Sequence, residues 1–94
     1  MSAGYRLRFE RERRALGLRE VSRKTGISPA HLSEIEREHK LASEDVLTTL
    51  AKLYGLDAWE LCLCDGRLPA EAVEWVKAHA IAETARLREA VKRG

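Results

Sequence analysis

The feature that most constrains the fold is an interruption between two helical runs, in the stretch KTGISPAHLSEIERE. Gly26 can end the first run because glycine adopts positive φ without steric cost. Ser28 is suited to be the N-cap of a new helix, and Pro29 fits its first turn, where no N–H donor is needed. Two short helices joined by such a turn cross steeply and leave the second one exposed. An ordinary bend in a helical bundle explains these residues equally well.

Capping residues and apolar spacing elsewhere predict further helices and no strand. The first helix is expected from Arg6 to Ala15, with Leu7 and Phe9 as its early apolar residues, and the second from Leu18 to Thr25. The third covers residues 28–37, and Leu32 and Ile35 are expected to face inward. The fourth is expected between Ser43 and Gly55, the fifth after an Asp57 cap, and one long last helix from Pro69 to about Lys92. The predicted fold is therefore all-α.

The chain length of 94 residues suits one folding unit with an appendage. The stretch Asp65–Pro69, DGRLP, reads as a turn or short linker. We therefore expect a helical domain at residues 1–67 and a separate C-terminal helix at 68–94. Apolar residues recur on that helix with spacings typical of one face: Val73, Val76, Ala80, Leu87 and Val91. This stripe predicts a homodimer seam, and the alternative is that it folds back on its own domain through Trp75 and Val76.

Charge is unevenly distributed, although the net charge is only +2. Residues 1–40 carry an excess of four positive charges, whereas residues 41–67 carry an excess of three negative ones. A basic face can attract a polyanion such as DNA, but it can also be an ordinary solvated surface. No apolar run reaches the length of a membrane span, and the first residues lack the apolar segment of a signal peptide. We expect a cytoplasmic protein without a membrane partner.

The two cysteines, Cys62 and Cys64, do not predict a metal site. A structural zinc site needs four ligands, and a single C-x-C with scattered histidines such as His39 and His79 matches no usual spacing. We expect reduced, partly buried thiols and no cofactor. No phosphate-binding loop, nucleophile elbow or pair of catalytic carboxylates stands out, so the sequence does not predict an enzyme.

The run ALGLREVSRKTGISPAHLSEIER, followed by SEDVLTTLAKLYGLDAWEL, resembles the phage-repressor-like helix-turn-helix family, the Cro and lambda-repressor type of DNA-binding domain. The similarity covers about two-thirds of the chain. Its matching features are small Ser22 four residues before Gly26, apolar Ile27 after it, the IER triplet and a capped fourth helix. The resemblance implies a five-helix lambda-repressor-like domain. It also implies a structural ion pair between Arg11 and Glu36.

Four positions depart from the family pattern. Gly17 and Leu18 stand where many members have a polar N-cap and a glutamine that contacts phosphate, and Arg19 is the nearby replacement for that contact. Glu38 replaces a glycine that often follows IER, and Ala42 replaces a proline before the fourth helix. Glu38 also brings negative charge close to where phosphate would lie.

The resemblance implies which side chains would face DNA. The positions facing bases are Ser28, Pro29, Ala30, Ser33 and Glu34, with His31 close by. No arginine, the commonest reader of guanine, occurs among them, but Glu34 could accept from cytosine N4 and Pro29 or Ala30 could touch a thymine methyl group. The candidate phosphate contacts are Arg19, Arg23, Arg37 and Lys40. A solvated surface is the alternative for each of these side chains.

The sequence thus predicts a sequence-specific DNA-binding transcriptional regulator. We expect a dimer that binds double-stranded DNA and represses transcription. The repression is implied by the resemblance alone. One competing hypothesis is a protein-interaction module that kept the fold but lost DNA binding. Another is an antitoxin that binds both its operator and a toxin as a protein partner.

Overall fold

A computed structural model describes all 94 residues, which form seven helices and no strand. The helices are α1 (Ala3–Arg13), α2 (Leu18–Thr25), α3 (Pro29–Glu36), α4 (Glu44–Tyr54), α5 (Ala58–Cys64), α6 (Ala70–Ala78) and α7 (Ala80–Arg93). The first five pack around one apolar core, and the expected all-α, lambda-repressor-like arrangement of five helices is confirmed.

The core is built from one buried face of each of the first five helices. Its large members with almost no exposed surface are Leu7, Val21, Leu32, Leu47, Leu50 and Leu61. Burying a side chain of this size stabilises the fold by about 1.5–3 kcal/mol each. Because α3 contributes Leu32 and Ile35 from one side only, its opposite side is left toward solvent.

The predicted caps are present. The Oγ atom of Ser28 accepts a hydrogen bond from His31 N–H at 3.1 Å, and Pro29 occupies the first turn of α3. Ser43 caps α4 in the same way, through Val46 N–H at 3.2 Å. Gly26 ends α2 with φ 79°, in the left-handed region. These local contacts fix the boundaries of α2, α3 and α4 where the sequence placed them.

The first helix differs from its prediction at both ends. It begins at Ala3, because Ser2 Oγ accepts from Tyr5 N–H at 3.0 Å and because Asp65, far along the chain, accepts from Ala3 N–H at 2.9 Å. It ends at Arg13 instead of Ala15, and the chain turns at Ala15, which has φ 56°. Phe9, one of its early apolar residues, is 57 % exposed.

The expected single C-terminal helix is interrupted. His79 leaves helical geometry, with φ −117° and ψ 25°, and separates α6 from α7. The carbonyl oxygen of Trp75 is 3.1 Å from the backbone N of His79 and 2.8 Å from its ring Nδ1, and the two rings stack with centroids 4.2 Å apart. This local cap on α6 accounts for the break.

The C-terminal helices stand away from the five-helix core. No Cα atom of α6 or α7 lies within 8 Å of a Cα atom in α1 to α5. The start of α6 is fixed by buried Pro69 and by the N–H of Ala70, which donates to Glu44 Oε2 at 3.1 Å. Trp75 is about half exposed and Val76 is partly buried, but neither α6 nor α7 packs over the five-helix core, as the predicted alternative of a folded-back tail would require.

Candidate nucleic-acid interface

The turn between α2 and α3 is stabilised by the side chain of Thr25. Its hydroxyl donates to the carbonyl oxygen of Val21 at 2.8 Å and accepts from Ile27 N–H at 3.2 Å. The N–H of Gly26 donates to Ser22 O at 2.7 Å, which closes the end of α2. These bonds satisfy the backbone of a tight turn and fix the angle at which α3 leaves it.

A bidentate ion pair holds the far end of α3 against α1. Arg11 Nε lies 2.9 Å from Glu36 Oε2, and Arg11 Nη2 lies 2.8 Å from Glu36 Oε1. Arg11 Nη1 also donates to the carbonyl oxygen of Leu16 at 2.9 Å. The Glu36 side chain is only 7 % exposed, and its hydrogen bond raises the pKa of Arg11. The pair implied by the family resemblance is therefore formed, and it orients α3.

The outer side of α3 carries all the side chains expected to face bases. Ser28, Pro29 and Ala30 are exposed at its start, and His31, Ser33 and Glu34 are partly exposed. The oxygen of Ser28 already serves as the helix cap, which leaves its hydroxyl hydrogen free to donate to another group. The tail does not cover this surface. The structure thus gathers the predicted base-facing set on one accessible strip.

The four candidate phosphate contacts have different surroundings. Arg19, Arg23 and Arg37 are exposed, and none forms an ion pair within the chain. Lys40 differs, because its Nζ lies 3.3 Å from Oε2 of Glu34. Three unpaired guanidinium groups on α2 and at the end of α3 are therefore free to bind an anion.

The two departures expected to affect phosphate binding have clear structural consequences. Leu18 is partly buried against the core, so it is a packing residue. Glu38 is exposed and has φ 63°, so the position after Arg37 adopts the left-handed backbone conformation that favours glycine. Glu20 accepts from Gly17 N–H at 3.2 Å and thereby occupies the amino end of α2.

One surface feature was missed by the sequence reading. A groove of about 760 Å³ runs between the outer face of α1 and the end of α3, with Tyr5 and Phe9 on one wall and Arg37 and Glu38 on the other. The sequence could have predicted this groove wall. Tyr5 and Phe9 each lie two residues from buried Leu7, and positions two residues apart on a helix point to opposite sides, so both face away from the core.

The chain holds no group of three or more His, Cys, Asp or Glu side chains arranged to bind a metal ion. Cys62 is buried, and burial raises the pKa of its thiol, which disfavours the reactive thiolate. Cys64 is also a free thiol and is partly exposed. None of the helices is long and apolar enough to span a lipid bilayer.

Comparison with known proteins adds one match. A family model described as a helix-turn-helix domain matches residues 4–63, which run from the first turn of α1 to the last turn of α5. The search of curated proteins gave no match.

Proposed function

Because the chain belongs to the helix-turn-helix domain family of DNA-binding proteins, we propose that it is a sequence-specific transcriptional regulator that places α3 in the DNA major groove. The observation that carries this proposal is the open outer strip of α3, which is bordered by Arg19, Arg23 and Arg37, three exposed cations without ion pairs inside the chain. A helix presented in this way fits the width of the major groove.

The proposed contacts divide by chemistry. Arg19, Arg23 and Arg37 bind phosphate oxygens and position the domain, because these cations are exposed and unpaired. Pro29 and Ala30 supply apolar surface for a thymine methyl group.

The remaining base-facing side chains are polar. Ser33 and His31 reach base edges by hydrogen bonding, and Glu34 accepts from a cytosine amino group. Such a strip lacks the bidentate arginine that reads guanine, so we expect modest discrimination per half-site.

Repression by a homodimer is the finer part of the proposal. A single short recognition helix offers few base contacts, whereas a twofold dimer reads two half-sites about 34–36 Å apart. On the stripe of α6 and α7, Ala80, Leu87 and Val91 are exposed, and Val73 and Val76 are partly buried. The exposed part supports a dimer, because apolar surface that the chain itself leaves uncovered gains free energy when a second copy covers it. Bound across a promoter, such a dimer would block transcription.

The test is DNA selection followed by titration at several salt concentrations. Fragments retained from random DNA are labelled, and binding is followed by fluorescence anisotropy. We expect log K to fall linearly with log salt, and we expect R19A and R37A each to weaken binding and to reduce the slope by about one. R93A, which removes an exposed arginine at the far end of α7, is the matched control and should bind as the wild type.

A negative result would be informative. If no DNA is retained even at low salt, the interaction-module hypothesis replaces this one, and the acidic side chains Glu34 and Glu38 near the expected phosphate path give it a physical reason. If DNA is retained and a co-expressed neighbouring protein co-purifies stoichiometrically, the antitoxin hypothesis is favoured.

A further inference from the structure

One side of α7 is apolar or small and faces solvent. Ala80, Thr84, Leu87 and Val91 follow one another at spacings of four, three and four residues. This alternation is that of the a and d positions of a coiled coil, with Thr84 and Val91 at a, and with Ala80 and Leu87 at d. Leu87 keeps 62 % and Val91 79 % of its surface exposed, and no helix of the core approaches them. The face has no partner within the chain.

Two opposite charges flank this face. On the same heptad numbering, Glu83 occupies a g position and Arg88 the e position five residues later. In a parallel pair of helices, a g residue of one helix faces the e residue of the following heptad on the other. Glu83 then meets Arg88 of the partner subunit, and twofold symmetry repeats the contact.

Within a single chain, these two side chains cannot pair, because residues five apart on a helix lie on different sides. The ion pairs inside α7 join Arg86 to Glu83 and Arg93 to Glu89, so Arg88 has no carboxylate partner. A second copy supplies one.

An antiparallel pair would place other residues beside the seam. In that orientation g faces g and e faces e, so Glu83 would lie beside Ala90 and Arg88 beside Ile81. Neither contact joins opposite charges. Charge complementarity therefore favours the parallel orientation.

We propose that α7 pairs in parallel with α7 of a second copy, with Glu83 of each chain facing Arg88 of the partner subunit. This inference rests on the proposed function, to which it adds the orientation of the dimer and the residues that set it. A helix of this length spans about 21 Å. Parallel pairing places both five-helix domains at the same end of the pair, where two α3 helices can reach one duplex, whereas antiparallel pairing separates them.

The test uses charge reversal in the full chain. E83R and R88E, each alone, put like charges at both symmetric contacts, and we expect the dimer dissociation constant from sedimentation equilibrium to rise at least about tenfold. An equimolar mixture of the two variants restores opposite charges at both contacts. We expect native mass spectrometry, which separates the dimers by mass, to show the mixed dimer as the dominant one.

The matched control is E89R. It makes the same charge change as E83R but at an f position, on the side of α7 opposite the seam. We expect it to dimerise as the wild type does. Helix content from circular dichroism should be equal for all variants, because the altered side chains are remote from the core.

The outcomes separate this inference from the proposed function. If E83R and R88E each dimerise as tightly as the wild type, the parallel pairing is wrong and the dimeric regulator stands. If the wild type is monomeric at all concentrations, both the dimer and the pairing are wrong. Preferred mixed dimers of a chain that binds no DNA would support the pairing and overturn the DNA-binding proposal.

Discussion

Lys40 Nζ lies 3.3 Å from Glu34 Oε2, so a cation at the end of α3 neutralises a residue proposed to read a base. The two positions are six residues apart, and they meet because α3 ends at Glu36 and the chain turns back through Glu38. The ammonium group reduces the repulsion that the Glu34 carboxylate would otherwise exert on a DNA strand.

This contact predicts coupling between the two residues in DNA binding. K40A should weaken binding more than R23A does, because it removes a cation and also leaves Glu34 uncompensated near phosphate. In the double variant E34A/K40A, the unpaired carboxylate is gone and part of the affinity should return. Anisotropy titrations of the wild type, E34A, K40A and E34A/K40A at one salt concentration, with R23A as the comparison, check this. Strictly additive losses would contradict the proposed role of Lys40.

The Arg11–Glu36 pair predicts a large loss of stability when one partner is removed. Its side chains are 15 % and 7 % exposed, and E36A would leave a guanidinium group partly buried without its carboxylate. We expect the free energy of unfolding to fall by about 3–5 kcal/mol. R8A, which removes the exposed Arg8–Glu12 pair on the same helix, should cost less than about 1 kcal/mol. Urea denaturation of both variants provides the comparison, and equal losses would count against this account.

Gly4 predicts a steric limit on the packing of α1 against α3. A Cβ atom added at this position would lie 2.2 Å from the backbone carbonyl oxygen of Ile35. G4A should therefore force the helices apart and destabilise the fold by about 1–3 kcal/mol or more. G17A is the matched control, because its nearest atom would lie 3.7 Å away, at the flexible side chain of Glu20. Thermal unfolding of the two variants should give clearly different midpoints, and a G4A protein as stable as G17A would refute the close approach.

Glu38 predicts a stabilising substitution. Its φ of 63° is strained for an L-residue with a side chain, so E38G should raise the free energy of unfolding by about 0.5–1 kcal/mol after the extra chain entropy of glycine is subtracted. Gly26 has φ 79° and open space around it, so G26A should lower the free energy of unfolding by about 1 kcal/mol, because alanine is strained at positive φ. Denaturant titrations of E38G and G26A measure both effects. Destabilisation by E38G would mean that its side chain makes a compensating interaction.

We expect the folded protein to lose stability at alkaline pH because of the buried Tyr54 side chain. Burial raises the pKa of Tyr54 to about 12, from an ordinary value near 10. The folded state then holds a proton that the unfolded state has released, so stability is fully present below about pH 10 and falls as pH rises toward 12, by about 2–3 kcal/mol in total. Unfolding titrations from pH 9 to 12 should show this fall, and Y54F should lack that part of it. An unchanged slope in Y54F would assign the fall to other groups.

Much of the candidate site could be predicted because its signals are local. Ser28, Pro29 and Gly26 act on backbone groups within a few residues, so their spacing alone placed the turn and the start of α3. The Arg11–Glu36 pair required more, because its partners are distant in sequence, and it came from the family resemblance. Its bidentate geometry and burial are visible only in the structure.

The sequence by itself determined the helical class and the boundaries of α2, α3 and α4, because caps and apolar spacing act over one or two turns. The residues expected to border α3 came from the family resemblance. Tertiary structure decided the rest. A hydrogen bond from Ala3 N–H to Asp65 extends the N-terminus of α1 beyond its predicted start. The packing also places Gly4 against the backbone of Ile35 and forms the ion pair between Lys40 and Glu34. Each of these contacts depends on where distant backbone segments lie once the core has packed, and no pattern within a short window carries that information.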